Sequence, residues 1–178
     1  MLKFIGILAV VAICVILILA AMKPSTFIVE RSVSINATPD KIAPLINDFH
    51  SWNIWSPWAK LDPAMKQNFE GAPAGTGAVY SWNGNSQVGE GKMTITDSHP
   101  SDLIKIKLEF IKPWTATNAT NFTFTPQGNQ TAVKWTMDGD NNFIGKAFGL
   151  FMNMDKMIGG DFEKGLAQMK SVAEAAAK

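Results

Sequence analysis

The segment Leu103–Ile111, LIKIKLEFI, alternates apolar and charged residues along nearly its whole length. Successive side chains of a β-strand point to opposite faces of a sheet, so this alternation predicts a strand with one buried face and one wet face. The buried face carries Ile104, Ile106, Leu108 and Phe110. Residues 131–138 repeat the pattern, so we expect two strands of one antiparallel sheet whose inner faces share a core.

Shorter signals extend this sheet in both directions along the chain. Asn83-Gly84 is a strong hairpin-turn signal, and Thr38-Pro39 combines a helix N-cap with a proline at the first helical position. Pro44 would interrupt a helix that continued through it. We predict strands over 26–35, 66–70, 78–82, 87–97, 103–111, 115–125 and 131–138, short helical segments over 38–48 and 50–58, and a long helix over 154–172.

The long C-terminal segment has apolar residues at steps of three and four, namely Met154, Ile158, Phe162, Leu166, Met169 and Val172. Such a stripe must be buried, and the concave face of a twisted antiparallel sheet is the large apolar surface available. We therefore predict an α+β fold, in which a curved antiparallel sheet of about six to seven strands wraps around this helix. Gly159-Gly160 would permit a close backbone approach or a bend, at about 1 kcal/mol per glycine relative to alanine.

The N-terminal residues 4–21, FIGILAVVAICVILILAA, contain no charge. A helix of about eighteen residues rises about 27 Å, close to the ~30 Å hydrocarbon core of a bilayer. We predict a membrane anchor over 4–22, a short linker over 23–25 and one folded domain over 26–175. A cleaved secretion signal and a buried core helix are the alternative interpretations of the run.

The orientation of this anchor rests on little charge contrast, because Lys3 precedes the run and Lys23 follows it. A short N-terminal tail before a first apolar segment would leave the N-terminus in the cytoplasm. The domain would then lie on the outer side of the membrane, which is the periplasm in a Gram-negative bacterium. The one cysteine, Cys14, lies inside the apolar run, so the domain has no thiol, which is compatible with an oxidising compartment.

Composition and motif content exclude several classes of function. A formal net charge of +1 without a Lys/Arg cluster argues against nucleic-acid binding. Two histidines far apart and one cysteine inside the apolar run cannot build a zinc or iron site of the usual kind, so we expect no metal. The sequence has no Gly-x-Gly-x-x-Gly, phosphate-binding loop or Gly-x-Ser-x-Gly motif, and we expect no cofactor.

Five local motifs resemble those of one known superfamily: RSVSINATP at 31–39, WNIWSPW at 52–58, YSWNGN at 80–85, VGEG at 88–91 and DFEKGL at 161–166. With the order of the elements, they resemble the SRPBCC superfamily, which includes START and pollen-allergen domains, and most closely its polyketide cyclase/dehydrase-like branch. The resemblance spans about 27–172. It implies a helix-grip fold with a deep cavity, between the sheet and the long helix, that holds lipids, sterols, polyketides or other apolar molecules.

Aromatic and apolar residues that would face such a cavity are the candidate ligand-binding residues: Trp52, Trp55, Trp58, Tyr80, Trp82, Phe110, Trp135, Ile158, Phe162, Leu166 and Met169. The steps of three between the first three tryptophans would put them on one face of a helical turn. There they would form a pocket rim or an interfacial belt, or would pack the short helices onto the sheet. For the others, ordinary core packing is the alternative.

Acid–base chemistry has three candidate residues in the domain: His50, Tyr80 and Glu90. None has a nucleophile motif around it. His50 lies next to Asp48 in a pattern that also fits a surface or capping role. Glu90 has the phase of the outer face of its strand, which favours a solvated position.

Three functions stay open at this point. The first is a membrane-anchored binding protein for a lipid or other small hydrophobic ligand. The second is a structural or regulatory partner domain in a membrane protein complex. The third, an enzyme of the cyclase/dehydrase type, would need buried acid–base groups in the cavity, and the lack of catalytic motifs disfavours it. A filled core with an exposed apolar patch would favour the second function over the first.

Overall fold

The computed structural model describes residues 2–176, and in them one antiparallel sheet is combined with helices. The strands are β1 (Thr26–Ile35), β2 (Lys66–Gly71), β3 (Ala78–Asn83), β4 (Glu90–His99), β5 (Leu103–Lys112), β6 (Ala116–Gln127) and β7 (Gln130–Asp140). The helices are α1 (Leu2–Ala21), α2 (Pro39–Ile42), α3 (Pro44–Asn47), a 3-10 helix (Phe49–Ile54), α4 (Phe143–Phe148) and α5 (Met154–Ala176). The α+β class predicted from the sequence is confirmed.

The seven strands lie in the spatial order β1-β7-β6-β5-β4-β3-β2, and every neighbouring pair is antiparallel. Six strands therefore form a meander from β2 to β7, and the first strand of the chain returns to pair with the last. The alternation in β5 has the predicted consequence. Ile104 and Ile106 are at most 1% exposed, whereas Lys105 and Lys107 on the opposite face are exposed.

The predicted boundary of β4 was wrong by three residues. We expected a strand over 87–97, and the observed strand is Glu90–His99. Residues 84–89 instead form the loop that connects β3 to β4, in which the Gly84 amide donates to the Gly89 carbonyl at 2.9 Å. Val88, which is half-buried, lies in this loop, and its carbonyl accepts from the Trp82 indole N–H at 3.0 Å.

The helical region after β1 is broken at the position where Pro44 predicts a break. α2 and α3 are four residues each, and each has its proline at the start of the helix. Asn47 ties α3 to the sheet, since its carbonyl accepts from the Gly75 amide at 2.9 Å and its Oδ1 accepts from the Ser98 hydroxyl at 2.6 Å. The short helices therefore cover one end of the sheet.

α5 lies along β1, with which it makes the contacts that hold it on the sheet. The Arg31 guanidinium bridges Asp155 at 3.0 Å and Glu163 at 2.6 Å. Further along, the Lys170 ammonium donates to the Ser34 carbonyl at 2.7 Å. Because these contacts advance together along both elements, α5 runs in the same direction as β1.

The two ends of the sheet differ, and we name them by their residues. The closed end is where β1 ends at Ile35 and where α2 and α3 pack, whereas the 3-10 helix that follows them reaches Phe69 and Gln67 of β2. The anchor end is where β1 begins at Thr26 and β7 ends at Asp140, two residues that pair with each other. α1 precedes the anchor end and α4 follows it, so both helices lie at this end.

In the described part of the chain, one helix is long and apolar enough to cross a membrane, over Phe4–Met22 with a mean hydropathy of 3.3. Its side chains are almost all exposed, apart from Ala20 in the last turn, which is fully buried. This is the segment predicted as an anchor. An exposed helix of this composition is compatible with a membrane anchor or a signal sequence and is unlike the buried core helix that the sequence left as an alternative.

Candidate functional site

The centre of the concave face is filled by stacked aromatic rings. Trp135 of β7 stacks on Phe162 of α5, with the ring centroids 3.9 Å apart and the planes within 6° of parallel. On the sheet side Trp135 also stacks on Phe122 at 4.8 Å. Each such aromatic pair contributes about 0.5–1.5 kcal/mol beyond the burial of its surface, so a ligand that separated these rings would first have to replace these contacts.

The aromatic layer continues toward the closed end through the tryptophans of the WNIWSPW motif. The Trp52 indole N–H donates to the Ile46 carbonyl at 2.9 Å, and the Trp55 indole N–H donates to the Leu45 carbonyl at 2.6 Å. Both tryptophans are buried, and their rings lie 4.7 Å apart. These two bonds fix the aromatic layer to α3, because breaking either would leave a buried donor without a partner.

Trp58, the third tryptophan of the motif, is only half-buried. It meets Trp135 edge-on at 5.9 Å and Phe162 edge-on at 6.5 Å, so it borders the filled layer. Leu166 and Met169 of α5 are at most 1% exposed and belong to the same core. Of the candidate ligand residues, those deep in the grip therefore pack against one another in this structure.

Exposure changes abruptly between two neighbouring rows of side chains on the concave face. In the inner row, Val29 and Ile106 are each 1% exposed. The next row toward the anchor end crosses the whole sheet through directly paired residues: Phe27, Gly139, Asn118, Leu108, Met93, Tyr80 and Phe69. In that row Phe27, Leu108 and Tyr80 are half-buried, whereas Met93 (7% exposed) and Asn118 (6%) are buried. We call this row the shelf.

The shelf is bordered by other apolar residues that the sequence had singled out, of which Phe110 and Ile158 are half-buried and Trp82 is buried. Phe110, one step beyond Leu108 on β5, meets Trp82 edge-on at 6.1 Å. Trp82 is held in place because its indole N–H donates to the Val88 carbonyl at 3.0 Å. Ile158 in the first turns of α5 is half-buried against the same core. Sequence reasoning found Phe110, Trp82 and Ile158 but missed Phe27 and Leu108 as candidates.

Two polar groups belong to this otherwise apolar row. The Asn118 side chain is buried at 6% exposure, and the Tyr80 side chain is half-buried. Gly139 makes room for the Asn118 side chain, because a Cβ at residue 139 would collide with Asn118 Oδ1.

Burial raises the pKa of Tyr80 to about 12, because a phenolate would be poorly solvated at this position. The ring is packed between Phe69 at 5.2 Å and Trp82 at 5.8 Å. Tyr80 is therefore neutral at physiological pH and can offer a ligand a hydrogen-bond donor and acceptor at the border of the shelf.

Of the three candidate acid–base residues, His50 and Tyr80 both contact Phe69 of the shelf, whereas Glu90 lies on the opposite face. His50 is exposed, with its Nδ1 2.8 Å from Asp48 Oδ1, and Asp48 also accepts from the His50 amide as a helix cap. Glu90 lies on the outer face, where it pairs with Lys112 at 2.6 Å. Since Tyr80 lies on the concave face, Tyr80 and Glu90 cannot act on the same bound molecule.

A surface groove lies along β1, β5, β6 and β7, and its lining includes Phe27, Asn118 and Gly139 of the shelf row. It has a volume of about 550 Å³ and is lined mainly by polar side chains that include Thr26, Lys105, Lys107, Asn121, Asp138 and Asp140. A smaller pocket of about 180 Å³ lies beside Phe49 and His50. Within the described residues, no group of three or more His, Cys, Asp or Glu side chains could hold a metal ion.

A curved seven-stranded antiparallel sheet closed over a long C-terminal helix, with two short helices at one end, is the helix-grip architecture of the SRPBCC superfamily. Residues 26–174 match the model of the family described as "Polyketide cyclase / dehydrase and lipid transport", and the chain belongs to that family. Because the description includes lipid transport, the family supports a hydrophobic-ligand-binding domain as the coarse function.

Solved structures show the same fold at low sequence identity. The KanY protein is 18% identical with a TM-score of 0.60, and the match covers 85% of this chain and 99% of that one. Protein CV1439 from Chromobacterium violaceum is 13% identical with a TM-score of 0.59 over 85% and 99% of the two chains. Ara h 8.0201 is 10% identical with a TM-score of 0.57 over 84% and 99%. No curated protein matches this chain significantly.

Proposed function

We propose that the domain binds a lipid or another small hydrophobic molecule on the shelf, while α1 tethers it to a membrane. The observation that carries this proposal is the change in exposure between the two rows of the concave face. Apolar side chains of the inner row are sealed, whereas Phe27, Leu108 and Tyr80 of the shelf are half-open. A half-open apolar surface with two polar groups at its border is typical of small-molecule sites.

The filled aromatic centre changes where such a ligand would lie. The sequence led us to expect a deep cavity between the sheet and α5, but Trp135 and Phe162 occupy its centre. We therefore propose that the stacked rings are the floor of the site and that the ligand lies above them, toward the anchor end. The Asn118 amide and the Tyr80 hydroxyl would orient its polar group.

The membrane tether and its orientation are part of this proposal. α1 would span the bilayer, its N-terminus would lie in the cytoplasm, and the domain would lie on the outer, periplasmic side. A cleaved secretion signal is the alternative, and it would release the domain from the membrane. The length, hydropathy and exposure of α1 support the anchor, because a released domain has no need for a span of this length.

Native mass spectrometry of the full chain, freed from detergent in the gas phase, tests the shelf. We expect the wild-type chain to retain a co-purified lipid. Leu108→Trp should abolish retention, because the larger ring fills the shelf, whereas Lys107→Trp places the same ring on the convex face and should retain it. Any lipid that binds to α1 alone should be retained equally by the two variants, so it does not affect the comparison. Equal retention in the two variants would contradict the proposal.

The second candidate function, a partner domain in a membrane protein complex, is favoured by one specific observation. Apart from its filled centre, the domain exposes an apolar segment at residues 143–152. A protein or a bilayer could cover this segment. An enzyme has less support, because His50 is exposed and Glu90 lies on the opposite face of the sheet from Tyr80.

A further inference from the structure

The segment 143–152, FIGKAFGLFM, carries five exposed large apolar side chains. Its exposed large side chains are Phe143 (49%), Ile144 (66%), Phe148 (52%), Phe151 (75%) and Met152 (45%). The one charge within it is Lys146. Soluble surfaces rarely expose contiguous apolar side chains in this number, and such patches mark contacts with proteins or membranes.

The position of this segment relative to α1 is fixed by specific contacts. α4, which begins the segment, packs against α1, and Ala20 in the last turn of α1 is fully buried. The Lys146 ammonium donates to the Ser25 hydroxyl at 2.9 Å, and the Asn141 amide donates to the Ser25 carbonyl at 2.7 Å. The exposed rings of the segment therefore lie beside the point where α1 ends.

A second exposed apolar site lies at the same end of the sheet. The end of β5 exposes Ile111 (47%), and the turn between β5 and β6 exposes Trp114 (73%). Strand β5 lies three places from β1, which corresponds to about 14 Å across the sheet. Two separate loops of the anchor end thus present apolar side chains, and an exposed tryptophan is the residue that membrane interfaces favour.

We propose that residues 143–152 and the β5–β6 turn insert into the headgroup layer of the bilayer that α1 spans, as a second and third membrane contact. The inference rests on the anchor proposed above. A bilayer fits better than a protein partner because the patch is continuous with a membrane-spanning helix and occupies two loops on the same side. Lys23 and Lys146 lie where their ammonium groups can reach the lipid phosphates while their stems stay in the apolar layer.

This arrangement would deepen the proposed function of the shelf. The shelf opens toward the anchor end, and the proposed contacts hold that end on the lipid surface. A hydrophobic molecule could then move between the bilayer and the shelf without crossing water. The ligand class that this geometry selects is a membrane lipid or a molecule dissolved in the membrane.

Spin-label accessibility in the full chain tests the insertion. The chain is reconstituted in vesicles of phosphatidylcholine and phosphatidylglycerol, and the label is attached to Cys14 or, in a Cys14→Ser background, to Phe151→Cys. Ile54→Cys in the same background is the control, since Ile54 is also an exposed apolar residue (50%) but belongs to the 3-10 helix and to neither of the two loops of the proposed contact. Oxygen, which concentrates in lipid, and a water-soluble nickel chelate are compared as relaxing agents.

We expect oxygen to relax the labels at residues 14 and 151 more than nickel does, with residue 151 at headgroup depth, and nickel to dominate at residue 54. A label at 151 that follows residue 54, while residue 14 remains in lipid, would overturn the insertion and leave the anchor intact. Shielding of residue 151 from both agents would overturn it in favour of a protein cover. A label at residue 14 that nickel reaches would refute the anchor itself.

Discussion

The two adjacent glycines of α5 should respond in opposite ways to alanine. In a helix interior alanine is favoured over glycine by about 1 kcal/mol. A Cβ at Gly160 has no neighbour within 4 Å, so Gly160→Ala should gain most of this. For a chain of this size about 1 kcal/mol raises the melting temperature by about 2–4 °C.

At Gly159 the same substitution meets the Arg31 guanidinium. The new Cβ would overlap this group, which spans the gap between α5 and β1 and binds both Asp155 and Glu163. The Arg31 side chain is flexible and would move away, so the backbone need not shift. The cost is the loss of the contacts that Arg31 makes at 2.6 Å and 3.0 Å. Gly159→Ala should therefore show little or none of the gain seen at Gly160.

The assay is thermal unfolding of the full chain in one detergent, followed by near-ultraviolet circular dichroism, to which the stacked Trp135 contributes. An Arg31→Ala background completes the test, because without the guanidinium the alanine at 159 should regain about 1 kcal/mol. If Gly159→Ala stabilises the chain as much as Gly160→Ala when Arg31 is present, the Arg31 bridge over Gly159 does not exist in solution.

Two further predictions concern pH. Tyr80 is the single tyrosine of the chain, so an absorbance titration reports it alone, and we expect a midpoint near 12 in the folded chain against about 10 in denaturant. Because the pKa of Tyr80 is higher in the folded chain, Tyr80 contributes fully to the free energy of unfolding below pH 10, and this contribution is lost as the pH rises toward 12. A midpoint at pH 10 in the folded chain would show that the Tyr80 ring is exposed. The hydrogen bond from Arg31 lowers the pKa of Asp155 below its usual 3.8. The contribution of the Arg31–Asp155 pair to the free energy of unfolding is therefore complete above pH 3.8 and is lost as the pH falls through the lowered pKa of Asp155. Asp155→Asn should therefore flatten the loss of melting temperature on acidification, and an unchanged profile would speak against the pair.

The sheet and its long helix could be predicted from the sequence because their patterns are local. The alternation in β5 and the apolar stripe of α5 each identify a buried face without reference to any other element. The two glycines of α5 predicted a close approach as well, and the structure assigns it to Gly159, against Arg31. The sequence pattern did not indicate which of the two glycines lies against another residue, because this depends on the register of α5 on β1.

The shelf could not be predicted, for a physical reason that Phe27 and Val29 illustrate. Both are apolar, both lie on the same face of β1, and they are two residues apart, yet one is half-buried and the other is 1% exposed. Leu108 and Ile106 repeat the difference on β5. The periodicity of a strand predicts which face each side chain is on. It does not predict where along the strand the covering helix begins, and this position decides which row of side chains stays exposed.

The same limit applies to the tryptophans of the WNIWSPW motif. Their spacing predicted a shared face, and it left a pocket rim and core packing as alternatives. The structure places Trp52 and Trp55 in the core because the carbonyls of Ile46 and Leu45, at the end of α3, accept their indole N–H groups. A hydrogen bond between a side chain and a backbone carbonyl of another short helix has no signature in a single sequence.

The difference between the two ends of the sheet has a consequence for how a ligand would enter. Opening the closed end would break the indole bonds of Trp52 and Trp55, each of which leaves a buried group unsatisfied at a cost of about 1–3 kcal/mol. Entry beside Phe27 and Leu108 at the anchor end breaks neither of these two bonds, because both side chains are already half-open there. The bonds that Ser25 makes to Asn141 and Lys146 also prevent the domain from swinging away on a free linker. Under the proposed function, entry from the adjoining bilayer is therefore the route of least cost, and the chain is suited to taking up or presenting a ligand at one membrane rather than carrying it across a wide gap.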